Sequence, residues 1–267
     1  MEDFSSYNGE GTVLRKAQYK MLDILVVVDE ICEKHNIPYW IDYGSLLGAV
    51  RHGGFIPWDD DLDISLLRHD FKRLSKILKK ELPNDLAYQD WKTERVLGMK
   101  SIKIRDKHSY YNEGLYSKGE MEYQGIFLDI FCKEEVPSNN LKKIVDYFYG
   151  RGFRHTRSNV KSMSKKMIGY WFYAAGASLI PLARLMANLR STKRIGNTYA
   201  GLNLKCIHTM DDVFPLKKIN FEGKMFNCPH NTDQILTNIY GDYMRIPSSE
   251  NRLIHAESIE FFESDKG

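Results

Sequence analysis

Four carboxylates fall within five residues at Asp59, Asp60, Asp61 and Asp63, interrupted only by Leu62. Such a run repels itself and needs a cation or solvent to hold it together. Its flanks, Phe55-Ile56-Pro57-Trp58 and Ile64-Ser65-Leu66-Leu67, are too apolar to leave all four fully solvated, so a bound divalent metal is the natural reading. In a strand through Leu62-Asp63-Ile64, side chains alternate, which turns Asp61 and Asp63 to one face and Leu62 and Ile64 to the core. Two hard oxygen ligands on a rigid strand suit Mg2+ or Mn2+. Asp59 shares their parity; it or Asp60 completes the ligand set, and the other orients water or an acceptor hydroxyl.

Upstream, Gly44-Ser45 separates an extended apolar stretch, Pro38-Tyr39-Trp40-Ile41, from a short helical one, Leu46-Leu47-Gly48-Ala49-Val50. A helix starting there aims free backbone N–H groups at an anion, with the Ser45 hydroxyl beside them. The plainer alternative is that Ser45 caps a helix and the acidic run is a solvated loop. A further carboxylate, Asp129, stands alone in the apolar run Ile126-Phe127-Leu128-Asp129-Ile130-Phe131. A lone Asp there is costly without a metal or a proton donor. Asp129 is therefore a general base or a metal ligand.

The block from Ile37 to Arg68, IPYWIDYGSLLGAVRHGGFIPWDDDLDISLLR, closely resembles the LicD family, whose hallmark is G-[ST]-L-L-G-x-x-R-H-x-G-F-I-P-W-D-D-D-x-D. The likeness extends to Gly125 through Phe131, to Phe221-Glu222-Gly223-Lys224 and to Tyr240-Gly241-Asp242-Tyr243. It implies an α+β, nucleotidyltransferase-like fold related to the DNA polymerase β superfamily: a mixed sheet flanked by helices, with a basic helical insertion. It also implies a metal-dependent phosphotransferase, related to fukutin-related protein. The reaction would move a phosphorylated alcohol, phosphocholine from CDP-choline above all, onto a hydroxyl of a surface glycan or of a lipid-linked teichoic acid or lipopolysaccharide precursor, releasing CMP. On this resemblance Asp61, Asp63 and Asp129 are catalytic, and with Asp59 they form the metal set. Gly44, Ser45 and Arg51 would contact the donor phosphates, as would Lys103 and Arg105, which alternate on one strand face and otherwise read as solvated. His52 reads as positional, and Trp58 as packing under the strand or stacking on a base or headgroup. A nucleotidyltransferase that consumes an NTP and releases pyrophosphate, or a non-catalytic membrane-associated scaffold, would keep the same parts.

These residues need elements to place them. Met21, Leu25, Val28 and Cys32 predict a helix over 14–35, and Phe71, Leu74, Ile77 and Leu78 another over 69–82. Residues 96–104 and 123–131 read as strands and 221–225 as a hairpin turn; Asn231 through Gln234 has capping-box spacing before a helix that Gly241 closes. In a chain of 267 residues and net charge +3, Tyr147 to Met210 holds eleven Lys or Arg and no acid, so it carries +11 and the rest −8. Within it Met167 to Ala183 is uncharged and aromatic (Tyr170, Trp171, Phe172, Tyr173), flanked by Lys161, Lys165, Lys166, Arg184, Arg190, Lys193 and Arg194. That stretch is short for a span and broken by Gly169, Gly176 and Pro181, which fits a helix or hairpin on an anionic membrane surface, or else a helical layer on the core. No nucleic-acid motif is present, and nucleic acid is not expected as a partner. The expected division is a catalytic core over 1–146, the basic insertion over 147–210 and a completing part over 211–267. Four scattered cysteines without a C-x-x-C suggest a reducing compartment, and an acidic, polar start lacks the pattern of a signal peptide. Together these predict a cytoplasmic protein, peripheral at the inner face of the plasma membrane.

Overall fold

Met21, Leu25, Val28 and Cys32 lie on one buried face of α2 (Val13–Lys34), which follows a single turn, α1 (Ser5–Asn8). Thr12 opens α2 by accepting the Arg15 N–H at 3.2 Å. The structure, a computed structural model, describes residues 3–94, 101–114, 118–156, 162–190, 192–198, 206–252 and 254–262. After α2 come β1 (Trp40–Ile41), α3 (Tyr43–His52), β2 (Asp63–Leu67), α4 (Arg68–Glu81), β3 (Leu86–Asp90), β4 (Ile102–Asp106), β5 (Ser109–Asn112) and β6 (Phe127–Glu135). A helical pair follows, α5 (Asn139–Thr156) and α6 (Met163–Arg190). The chain closes with β7 (Arg194–Asn197), β8 (His208–Thr209), α7 (Met210–Val213), β9 (Lys217–Phe221), β10 (Lys224–Cys228), α8 (Thr232–Tyr240) and β11 (Ser258–Phe261).

One mixed sheet organises these elements, in the order β1-β2-β6-β4-β3, with β7 pairing the far half of β6 and β8 pairing β7. Among the described residues β2 and β6 form the parallel pair, and the other pairings are antiparallel. Ile64, Leu66, Ile102, Ile104, Leu128 and Ile130 share one face and are buried. The opposite face carries a polar row in register across three strands: Asp63 beside Asp129, and Asp129 beside Lys103. The fold is thus α+β, a mixed sheet with helices, as expected.

Both long N-terminal helices fall within a residue of their predicted ends. The predicted strand over 96–104 is β4, which begins at Ile102; residues 95–100 lie outside the described residues. The strand predicted at Tyr123 begins instead at Phe127. Ahead of it the backbone at Gly125 passes so close to the Asp106 carbonyl that a Cβ would lie 1.8 Å from that oxygen. The hairpin turn is Glu222-Gly223, both left-handed (φ 53° and 78°), the geometry of a tight two-residue connection. Asn231 does accept the Gln234 N–H, but the Gln234 side chain donates to Asn238 rather than reaching back, so only half of the capping box forms.

The helical pair carries its own small apolar cluster, Val145, Ile180 and Ala183 with Leu141, Tyr149 and Leu179, separate from the main core. Gly169, Gly176 and Pro181 do not interrupt α6, which is continuous through all three. Gly176 sits where the helices touch: a Cβ there would come 2.9 Å from the Tyr149 ring. The glycine permits close helix contact, which is why it reads as a breaker in sequence and is none in the fold. Among the described residues no helix is long and apolar enough to cross a membrane.

Candidate active site

The site begins at the start of α3. Asp42, not Ser45, caps this helix, accepting the Tyr43 N–H at 3.0 Å. Ser45 lies one turn inside, where its hydroxyl accepts the Asp63 N–H at 2.8 Å and ties the helix to β2. The Asp63 carbonyl accepts the Asp42 N–H, and the Leu62 carbonyl accepts the Asp129 N–H. The strand bearing the second aspartate is therefore gripped from both sides. Gly44 turns its bare Cα to the acidic run: a Cβ would lie 2.7 Å from Asp59 Oδ2 and 3.9 Å from Asp61 Oδ1. A side chain there would push the Asp59 carboxylate aside.

The acidic loop is braced from below. The buried Gln18 amide donates to the Asp59 carbonyl at 2.9 Å, and the Tyr111 hydroxyl donates to the Asp60 carbonyl. Asp59, Asp61 and Asp63 line a cavity of about 470 Å³ together with Gly44, Tyr43, Trp58, Phe131, Asn197, Tyr240 and His255, among others. Asp60 points the other way and is fully buried. One of its oxygens accepts the His255 N–H and faces His255 Nδ1 at 3.0 Å, while the other accepts the Ala256 N–H.

The electrostatics separate these aspartates. Burial, then Asp61 and Asp60, push the Asp59 carboxyl well above its ordinary range; burial, then Asp61 and Asp129, do the same to Asp63. Asp61 is pushed up to about 6 by burial, with Asp129 and Asp60 adding to it against His255. Asp129 is raised by burial against the pull of Lys103, whose ammonium lies 2.9 Å from Oδ2. Its other oxygen, Oδ1, is buried and accepts no hydrogen bond. Asp60 is held low despite burial by the donors from His255 and Ala256. His255 is raised to about 9, first by its bond to Asp60.

Four carboxylates that resist ionisation, one of them with an orphaned buried oxygen, form a donor set that a hard divalent cation would satisfy. Asp59, Asp60 and His255 also bring ligand atoms within 4.8 Å of one another. Both Asp60 oxygens there are already committed to N–H groups, which makes that trio a brace for the C-terminal segment.

The basic residues are placed differently. Arg105 is wholly buried and donates to Gln89, to the Gly125 carbonyl and to Glu113. Its strand face is thus interior, not solvated. Lys103 serves Asp129 and sits 3.3 Å above the Phe127 ring. Arg51 donates to the Tyr243 carbonyl at 2.9 Å and to His52. His52, lowered to about 4 by burial and then by Arg51, is neutral near pH 7 and acts as a fastening. None of Arg51, Lys103 and Arg105 lines the cavity, and Asp129 stands beside it on the next strand. Trp58 is packed between Phe4 and Tyr7 under Arg252, with its edge reaching the cavity.

Several contributors escaped the sequence reading. Asp42 and Lys133 form a buried ion pair at 2.8 Å, and Asp42 also accepts the Ser65 hydroxyl. Lys133 donates to the Tyr43 hydroxyl, which donates to Asn197. Tyr43 itself is left-handed (φ 49°), an uncommon setting for an aromatic residue. Asn197 and Cys206 bring the 147–210 segment into the cavity wall. The one available signal was Asp42 directly before a helical stretch; the rest depends on tertiary pairing.

The profile of the family described as LicD/FKTN/FKRP, nucleotidyltransferase domain, matches residues 36–175. The chain is 25% identical over 266 residues to lipopolysaccharide cholinephosphotransferase LicD of Haemophilus influenzae, covering 91% of this chain and 95% of that protein. It is 31% identical over 131 residues to an uncharacterized Rickettsia prowazekii protein, 42% of this chain and 49% of the other. A stretch of 40 residues is 48% identical to human ribitol 5-phosphate transferase FKRP, 15% of this chain and 8% of that one.

Proposed function

The chain belongs to the LicD family, and from that premise we propose that it is a phosphotransferase that moves a phosphorylated alcohol, phosphocholine from CDP-choline, onto a hydroxyl of a surface glycan precursor, releasing CMP. The observation that carries this reading is the acidic cavity facing Gly44, where Asp59, Asp61 and Asp63 converge beside Asp129. In this reading the catalytic unit has the nucleotidyltransferase-like arrangement and is carried by 1–146 and 211–267. The 147–210 segment adds Asn197 and Cys206 to its wall.

Asp59, Asp61 and Asp63 would hold Mg2+ or Mn2+, which when bound would neutralise the donor diphosphate and the departing CMP, leaving Asp129 for the proton. The acceptor hydroxyl loses its proton to the unpartnered Oδ1 of Asp129, and its oxygen bonds to the phosphorus that carries the alcohol as the bond from that phosphorus to CMP breaks. Lys103, fixed on Oδ2, orients Asp129 and keeps it ionisable. Tyr43, Phe131 and Tyr240 stand around the cavity with the carboxylates, and no Lys or Arg is among its described lining residues. Aromatic faces and anionic walls favour a quaternary ammonium over a neutral polyol.

Product analysis tests this. With Mg2+ and a glycan acceptor, CDP-choline should yield CMP and outcompete CDP-ribitol and CDP-glycerol. Pyrophosphate released from an NTP, with no CMP from any CDP-alcohol, would make the protein a nucleotidyltransferase instead.

The acceptor in this reading is lipid-linked, and the α5–α6 pair meets the inner face of the membrane. On α6, Met163, Met167, Tyr170 and Trp171 are 63–70% exposed, and Leu182, Leu185 and Leu189 continue the same apolar surface. The surrounding segment carries no acid. An uncharged apolar stripe in a basic setting suits the interface of an anionic bilayer. The protein should float with phosphatidylglycerol vesicles at low salt and be released as salt rises. Met167→Ser with Trp171→Ser should abolish flotation while sparing turnover on a soluble acceptor. Failure of the wild type to float would leave this helix as a solvent-facing layer.

A further inference from the structure

On the sheet face opposite the polar row, a cavity of about 630 Å³ lies between α4, β3 and the near end of α6. Its floor is Ile102 and Cys132, and its walls carry Arg68, Lys72, Lys76, Lys79, Lys92 and Arg184 against one carboxylate, Asp90. Asp90 engages Lys79 at 3.3 Å, and Glu134 engages both Arg184 and Arg68. Among the described residues, Lys72, Lys76 and Lys92 have no carboxylate partner. Lys72 and Lys76, one turn apart on the exposed side of α4, present their charge along the groove.

The rim is built, not merely charged. Asp90 Oδ1 accepts the N–H groups of both Lys92 and Thr93, which fixes the turn carrying Trp91, and Trp91 is 47% exposed there. Below it the Tyr88 hydroxyl is shared between Ser75 and Asp90. Ser75, Ser101 and Thr198 add hydroxyls to the lining. The two cavities differ in the ionisable groups they gather. The catalytic one is lined by three carboxylates without Lys or Arg; this one gathers six cations.

We propose that this groove binds a phosphate-bearing saccharide chain, the anionic part of the acceptor whose hydroxyl is modified at the other cavity. The proposal rests on the glycan-transferase reading given above. The cations suit phosphates spaced along a chain, an exposed indole at the rim suits the apolar face of a sugar ring, and the hydroxyls suit its remaining oxygens. The catalytic cavity gathers three carboxylates and no Lys or Arg, so it draws an anionic acceptor weakly, and the groove supplies that attraction at a distance from the reacting atoms.

Binding can be measured without turnover, using phosphorylated dextran and unmodified dextran as probes in the absence of divalent metal, followed by tryptophan fluorescence and by sedimentation. Phosphorylated dextran should bind and unmodified dextran should not. Lys72→Glu with Lys76→Glu should weaken binding by about tenfold or more, since two attractions become repulsions. Both residues are exposed on α4, so the fold should tolerate the change. Trp91→Ser should weaken binding by a smaller factor, and Asp63→Asn should leave it unchanged. That last variant separates the proposals: an inactive protein that still binds keeps the groove, and an active one that does not bind overturns it. Unchanged affinity in the charge-reversed variant would also overturn it. So would loss of binding to phosphatidylglycerol vesicles in that variant with phosphorylated dextran unaffected, which would make the groove a lipid headgroup surface.

Discussion

Asp61→Asn and Asp63→Asn should each lower transfer by about 10²- to 10³-fold or more in saturating Mg2+, the scale expected when a charged group at the reacting phosphate is removed. Neither should destabilise the metal-free protein. Each carboxylate sits among others that repel it, and burial raises both above the ordinary carboxylate value of 3.8. A raised carboxyl favours the folded state while protonated and loses that contribution as pH climbs through its folded value. For Asp61 the loss falls between 3.8 and about 6. The wild-type protein without metal should therefore melt lower at pH 7 than at pH 5, and Asp61→Asn should flatten that slope. Near wild-type turnover in either variant would remove these residues from the chemistry. A lower melting temperature at pH 7 would show that they serve the fold.

Loss of Lys133 should be strongly destabilising. Its ammonium lies 2.8 Å from Asp42 and both side chains are about 1% exposed. Burial pushes Asp42 up, and Lys133 with the Ser65 hydroxyl more than offsets it, holding the group below its ordinary range. Lys133→Met leaves Asp42 buried without its counter-charge, a change that costs about 3–5 kcal/mol. At this size that is a fall in melting temperature on the order of 10 °C. Adding Asp42→Asn, which keeps a cap for α3 and removes the stranded charge, should recover a good part of it. Denaturant titration of the two variants is the measurement, and a loss below about 1 kcal/mol for Lys133→Met would mean water reaches Asp42.

The local parts of this structure were readable because they are written locally. Helix spacing in α2 and α4 and the parity of Asp59, Asp61 and Asp63 need only neighbours in sequence, and all reappear in the fold. Gly176 misled because its surroundings come from another element: α5 decides whether a glycine breaks a helix or admits a neighbour. Basic residues were the hardest to place. Arg105 and Lys103 look like solvent-facing cations in an alternating strand, yet Glu113 and Asp129 draw both inside. Lys133 and His255 carried no local signal, because their partners, Asp42 and Asp60, lie roughly 90 and 195 residues away.

That last separation bears on how the molecule is made. Asp60 sits between two aspartates of the cavity, and the N–H groups that satisfy it come from residues 255 and 256. While the chain is still being synthesised, every strand of the main sheet, β1 to β4 and β6 to β8, can be present and paired before those donors emerge. The acidic loop then has no cover for its most buried member and stays unsettled. Synthesis order thus delays the assembled cavity until the C-terminal segment folds back, and chains truncated before His255 should be born folded in the sheet and inert at the site.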